Sequence, residues 1–158
     1  MDSTTIFESA TTAINAFLKG EAELISLNAN ERSLTHKLAE YLQREFSELN
    51  VDCEYNRLGT LVKRLPPPQP SQTDDESGRT IFPDIIVHKR NSKDNWLVVE
   101  VKKSTNKTEG DDEKLRALTQ GGGDFAYTLG IHLIIDCSQV AVTSLTCYAN
   151  GNVIHNPK

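Results

Sequence analysis

Two short aliphatic runs, residues 81–88 (Ile81-Phe82-Pro83-Asp84-Ile85-Ile86-Val87-His88) and 96–103 (Trp96-Leu97-Val98-Val99-Glu100-Val101-Lys102-Lys103), stand on either side of the polar segment 90–95. Strand-forming residues bounded by Asn, Ser and Asp read as two strands joined by a short loop, a β-hairpin. With the loop centred near Ser92, antiparallel register sets Asp84 opposite Glu100, and directly opposed residues carry Cβ atoms about 4.5 to 5.5 Å apart. Strand side chains alternate between faces, so Lys102 points the same way as Glu100, while Ile85, Val87, Leu97, Val99 and Val101 gather on the other face. A slip of one residue would scatter both sets, so the core and the polar cluster demand the same register.

Two facing carboxylates among Ile and Val neighbours need a shared proton, a basic neighbour or a cation. Lys102 is placed to help. Hard oxygen ligands that leave positions open to water suit Mg²⁺, with Mn²⁺ as a substitute, better than Zn²⁺, which favours His and Cys. Such an ion activates a water and stabilises charge on a phosphate, while Lys102 positions that water and neutralises developing charge. The expected chemistry is phosphodiester hydrolysis, with Asp84 and Glu100 as metal ligands and Lys102 positioning the nucleophilic water and stabilising charge.

Pro83-Asp84, a gap of fifteen residues and then Glu100-Val101-Lys102 resembles the PD-(D/E)XK signature of the restriction-endonuclease-like nuclease superfamily. Residues 31–42 also look like the first helix of its small stand-alone members, and the resemblance spans roughly 31–136. It implies an α/β fold with a core of helix, three strands, helix and strand, in which a central mixed sheet is flanked by helices. It implies a Mg²⁺-dependent nuclease, with DNA favoured over RNA as substrate. Glu31 would complete the metal shell or hold its waters, and Lys114 falls where many relatives carry a supporting basic or amide residue. The chain departs from the pattern at Ile81-Phe82, where small relatives often carry a basic residue, and in a long Pro-rich insertion. The rival reading is a catalytically inactive module of the same fold that binds nucleic acid or a protein partner.

The 158 residues, 37 % of them hydrophobic, suit a single domain, with residues 1–27 as an N-terminal helical extension. Cys53, Cys137 and Cys147 form no CxxC pair and leave an odd count, which points to buried thiols in a reducing compartment rather than to a zinc knuckle or a disulfide framework. No apolar stretch nears the length of a membrane span, and no basic region precedes an apolar run at the N-terminus, so the expectation is a cytoplasmic protein without a membrane partner. The formal charge is −5, but Asp74, Asp75, Glu76, Glu109, Asp111, Asp112 and Glu113 account for all of the excess. Between 88 and 107, Lys89, Arg90, Lys93, Lys102, Lys103 and Lys107 oppose only Asp94 and Glu100, a patch able to hold a phosphate backbone or to be a solvated loop.

In chain order, residues 4–19 carry apolar side chains at helical spacing up to Gly20. This helix either packs on the chain's own core or forms a dimer surface. Residues 21–27 add a short helical piece, and Asn28 or Asn30 caps the next helix, 31–49, whose stripe is Leu34, Leu38, Tyr41, Leu42, Phe46 and Leu49. Glu31 begins that stripe two turns before Leu38, although an acid in a first helical turn is favourable through the macrodipole alone. His36 shares a side with Arg32 and is either a phosphate contact or a solvent-facing histidine. The first core strand falls within 51–65 with a turn near Gly59, and the Pro-rich acidic segment 66–80 reads as a mobile loop. A helix over 111–120 faces Leu115 and Leu118 inward and can offer Lys114 and Arg116 to a phosphate. Gly121-Gly122-Gly123 lacks the Lys and Ser/Thr of a phosphate loop. Strands follow over 127–136, with His132 as a packed or edge residue, and over 139–148, before a turn at Asn150-Gly151. Lys89, Arg90, Lys103, Lys114 and His36 are the candidate nucleic-acid contacts, and cutting both strands of a duplex would favour a homodimer.

Overall fold

Asp2 and Asn30 start the two long helices by the same device, a side-chain oxygen that accepts a backbone N–H three residues on, from Thr5 at 2.9 Å and from Ser33 at 2.8 Å. The computed structural model describes residues 1–55, 57–58, 61–62, 64–65, 79–80 and 82–155. In order, the elements are α1 (Ser3–Gly20), α2 (Ala22–Ser26), α3 (Glu31–Glu45), β1 (Asn50–Cys53), β2 (Arg57–Leu58), β3 (Leu61–Val62), β4 (Arg64–Leu65), β5 (Arg79–Thr80), β6 (Ile85–His88), β7 (Asn95–Lys103), α4 (Asp111–Thr119), β8 (Leu129–Asp136), β9 (Ala141–Ala149) and β10 (Asn152–Ile154).

Six strands form one open mixed sheet in the order β1-β6-β7-β8-β9-β10. Every neighbouring pair is antiparallel except β7 and β8, which run parallel and are joined by the crossover through α4. The hairpin has the expected register: Ile85 pairs with Val99, Ile86 with Val98 and Val87 with Leu97, and an irregularity then sets His88 against Asn95. Ile85, Val87, Leu97, Val99 and Val101 face a core completed by α1 and α3. Ile86 and Val98 face Leu115 and Leu118 of α4 together with Phe125 and Tyr127. The hairpin is therefore covered on both sides, and its polar cluster lies at the end of the α4 side rather than along a whole polar face. All four residues of β6 are buried in consequence.

The stripe of α1, Ile6, Ala10, Ala13, Ile14 and Phe17, is buried in the core shared with α3. Phe17 meets Tyr41 edge to face at 6.1 Å. The N-terminal helix thus packs on its own domain. The next helix stops at Glu45, short of residue 49, because Gln43 Nε2 donates to the Phe46 and Leu49 carbonyls and its Oε1 accepts from Val51 N, closing the turn into β1. Phe46 stays buried all the same. Main-sheet pairing in the first strand is confined to Asn50–Cys53, because Glu54 takes a left-handed backbone (φ 49°) and turns the chain aside. The expected turn at Gly59 lies outside the described residues, although β2 and β3 on either side pair antiparallel. Of the Pro-rich segment 66–80, only Arg79 and Thr80 are described, paired with β4. Among the described residues no helix is long and apolar enough to cross a membrane.

Candidate active site

Asp84 occupies the bend just before β6, behind the buried Pro83. Its backbone carbonyl accepts from Glu54 N at 3.1 Å, and its Oδ2 accepts from Val101 N at 2.8 Å. The first bond ties the Asp84 backbone to the residue that follows β1, and the second ties its carboxylate to β7. Extending the hairpin register by one pair beyond Ile85 and Val99 places Asp84 across from Glu100, as the sequence required. Glu100 is 1 % exposed. Burial raises its carboxyl, the Asp84 charge raises it further, and Lys114 only partly offsets both, so the group is pushed up to about 7. Burial also holds Asp84 above its ordinary value, against the Val101 N–H and the charges of Lys114 and Lys102.

The cation that meets Glu100 is Lys114, not Lys102. Lys114 Nζ lies 2.7 Å from Oε1 and 2.8 Å from Oε2 of Glu100, and it also donates to the Phe82 carbonyl at 2.8 Å. Lys102 sits two residues further along β7, about 6.5 Å by strand rise, and reaches the N-termini of two helices instead. Its Nζ is 3.4 Å from Glu31 Oε1 and 3.8 Å from Asp111 Oδ2. Burial lowers the Lys102 ammonium, but Asp111, Asp84 and Glu31 together outweigh burial and hold it above its ordinary value. The ammonium is a fixed charge and a donor.

Glu31, the first residue of α3, accepts at Oε2 from Lys103 N at 3.1 Å and from Asn106 Nδ2 at 2.7 Å. It clamps the end of β7, and its Oε1 is left to Lys102. Nothing in the sequence assigns Asn106 or Asp111 to the site, Asp111 standing there only as one of the acids that open a helix. Asp111 is 8 % exposed, and its Oδ2 lies 3.4 Å from Nε2 of His132, which is equally buried and pairs with Glu100 in the parallel register. The strand alternation of 129–136 does carry a signal for His132, since it opposes Ile131 and Leu133; nothing local separates Asp111 from Asp112.

The remaining candidates lie elsewhere. Lys103 Nζ donates to Asn28 O, Asn28 Oδ1 and Ala29 O, locking the loop between α2 and α3. Lys89 and Arg90 sit at the opposite end of the hairpin, about 16 Å from Asp84 by strand rise. Arg90 is paired there with Asp52, which also meets His88 Nε2 at 2.8 Å. The basic stretch of the sequence is therefore split by the fold: its hairpin-loop half does not adjoin Asp84 and Glu100. His36, with a side chain 68 % exposed, lies 3.2 Å from Glu40 and lines a cleft of about 830 Å³. Asn30, Glu31, Arg32, Ser33 and Asp84 share that cleft, so one edge of the carboxylate cluster opens to solvent.

Among the described residues, the four acids Glu31, Asp84, Glu100 and Asp111 face two lysines, Lys102 and Lys114, and the His132 ring, in a largely buried cluster. Among the described residues no set of three or more His, Cys, Asp or Glu side chains is placed to hold a metal ion. Mg²⁺ keeps several waters and needs only one or two carboxylates, so Asp84 and Glu100 remain a suitable donor pair. Lys114 holds Glu100 at both oxygens, with the regular hydrogen bond to Oε2 and an ion-pair contact to the buried Oε1. No family model, no curated protein and no solved structure matches this chain.

Proposed function

We propose that the chain is a metal-dependent nuclease with a restriction-endonuclease-like core, hydrolysing phosphodiester bonds of nucleic acid, with DNA as the favoured substrate. The observation that carries this reading is the pairing of Asp84, at the edge of a cleft, with the buried Glu100, two carboxylates raised by burial within a cluster of four acids and two lysines. The order α3, β1, β6, β7, α4, β8 supports it, being the helix, three strands, helix and strand that the resemblance to PD-(D/E)XK nucleases calls for.

Asp84 and Glu100 would hold Mg²⁺, or Mn²⁺ in its place. When bound, the ion supplies Lewis-acid stabilisation of phosphoryl charge and a more acidic water. The chain's own residues do the rest. Lys114 keeps Glu100 anchored and favours its ionised form, and the Val101 N–H fixes the rotation of Asp84. Lys102 brings a permanent positive charge and spare N–H donors to the same edge, where they orient a nucleophilic water and neutralise a phosphate oxygen. Glu31 acts through Lys102 and the end of β7, a role the hydrogen bonds support more directly than metal contact.

The test is incubation of the protein with labelled single-stranded, duplex and branched DNA and with RNA, in Mg²⁺, in Mn²⁺ and in chelator, beside Glu100→Ala and Lys102→Ala. Cleavage that needs metal, is lost in Glu100→Ala and is reduced but measurable in Lys102→Ala is the expected result. Intact substrates throughout, together with no calorimetric Mg²⁺ or Mn²⁺ binding, would overturn the enzyme reading. Double-strand cleavage would call for a homodimer with two such sites.

A further inference from the structure

We propose that Asp111 is a positioning residue of this site, holding the Lys102 ammonium from the α4 side while Glu31 holds it from the α3 side, with His132 bracing Asp111 from behind; the inference rests on the nuclease reading. Asp111 and Glu31 are each the first residue of a helix, and their carboxylates converge on one nitrogen from different helices, at 3.8 Å and 3.4 Å. One acid alone would draw the flexible Lys102 stem toward its own helix. Two acids keep the ammonium between them and leave donors over for a water or a phosphate oxygen.

The macrodipole does not explain Asp111. Asp112 and Glu113 already place acids in the first turn of α4, and Asp112 does so from an exposed position. Asp111 is instead turned inward. Gly110 makes that possible, because its φ of 88° belongs to a region that residues with a Cβ rarely adopt. Desolvating a carboxylate works against folding unless the group has a task or a partner.

The buried acceptors and donors tell the same story. Among the described residues five buried side-chain atoms make no regular hydrogen bond, and three of them, Glu100 Oε1, Asp111 Oδ2 and His132 Nε2, belong to this one cluster, where ion-pair contacts reach them instead. Such atoms are few in folded chains, and a catalytic role is one of the explanations for three of them in one cluster. His132 lies beside Glu100 on the neighbouring parallel strand, 3.4 Å from the Asp111 oxygen. A smaller side chain at 132 would leave Asp111 room to swing away from Lys102.

Steady-state cleavage by Asp111→Asn, Asp111→Glu, Lys102→Ala and the Asp111→Asn/Lys102→Ala double variant tests the proposal. Misplacing a reacting or positioning group costs up to about 100-fold in rate. Asp111→Asn is expected to lower kcat by about 10-fold or more within that range, with KM changed less than about 3-fold. Asp111→Glu should recover part of the loss, and in the Lys102→Ala background Asp111→Asn should cost nothing further. A fully additive loss in the double variant would overturn the proposal. A second readout needs no cleavage: limited acetylation of the folded protein, read by mass spectrometry at Lys102 against the exposed Lys19 and Lys107. Faster labelling of Lys102 alone in Asp111→Asn supports the positioning role, and an unchanged ratio overturns it. Should the wild type cut nothing while Lys102 responds in this way, it is the nuclease reading that fails and the contact between Asp111 and Lys102 that stands.

Discussion

Asp84 Oδ2 accepts the Val101 N–H at 2.8 Å, so the carboxylate expected to bind metal is also part of the join between β6 and β7. Stability and chemistry can be separated there. Asp84→Asn keeps an oxygen acceptor and should unfold within about 1 kcal/mol of wild type, whereas Asp84→Ala leaves the N–H of the buried Val101 without its partner and should cost about 1 to 3 kcal/mol. Urea denaturation in chelator measures both, and calorimetry should show that both lose Mg²⁺ or Mn²⁺ binding.

The carboxyl of Glu100 sets a pH dependence for the metal-free protein. Its value rises from 4.5 to about 7 on folding, through burial first and the Asp84 charge second. The folded state therefore keeps a proton that the unfolded chain gives up. This contribution favours folding at the acid end and declines by about 3 kcal/mol as pH climbs through that window, levelling off above it. Unfolding in chelator at about pH 5.5 and about pH 8 should show the decline in wild type and a flatter profile in Glu100→Gln. A divalent cation prefers the ionised carboxylate, so metal affinity should rise over the same window.

Lys114 is the partner that makes an ionised Glu100 tolerable. Lys114→Met should destabilise the protein by about 3 kcal/mol at alkaline pH, where a buried carboxylate is left without its cation. Below the Glu100 value the loss should shrink, because the carboxyl takes up a proton instead. Equal destabilisation at both ends of the range, by urea titration, would mean that packing rather than charge is what Lys114 provides.

Gly130 of β8 lies directly against α4. A methyl group there would lie 2.9 Å from Thr119 Cγ2, 3.2 Å from Tyr148 Cβ and 3.3 Å from Leu115 Cδ2. Gly130→Ala is expected to cost about 1 to 3 kcal/mol through overpacking, visible as a lower Tm. Since α4 carries Asp111 and Lys114, activity should fall along with stability.

Arg90 and Lys89 lie at the far end of the hairpin, and Arg90 is already engaged by Asp52. Replacing either with Ala should change nucleic-acid binding by less than about 2-fold and stability by less than about 1 kcal/mol for the half-exposed Arg90 pair. Fluorescence anisotropy at two salt concentrations checks this: a marked loss of affinity with a shallower salt slope would show that the loop does touch the phosphate backbone.

Much of this arrangement follows from local pattern. Alternation across 85–88 and 96–103 admits one register that buries Val87 and Leu97, and that register brings Asp84 to Glu100. Helical spacing over 4–19 and 31–46, with oxygen-bearing caps at Asp2 and Asn30, is likewise local, because capping and amphipathicity are properties of neighbouring residues. Strand and helix boundaries moved where a single residue intervened from outside the pattern, Gln43 at the end of α3 and Glu54 at the end of β1.

The sequence by itself determined the hairpin, its facing carboxylates and the sequence of helices and strands that carries them, since each depends on periods of two or 3.6 residues that a chain displays openly. Which lysine meets which acid was decided only by the tertiary structure. Lys114 reaches Glu100, Lys102 reaches Glu31 and Asp111, and Arg90 of the loop turns to Asp52, because ion pairs form between side chains that crossover and packing bring within a few ångströms, and nothing in the spacing of charges along a chain records that distance.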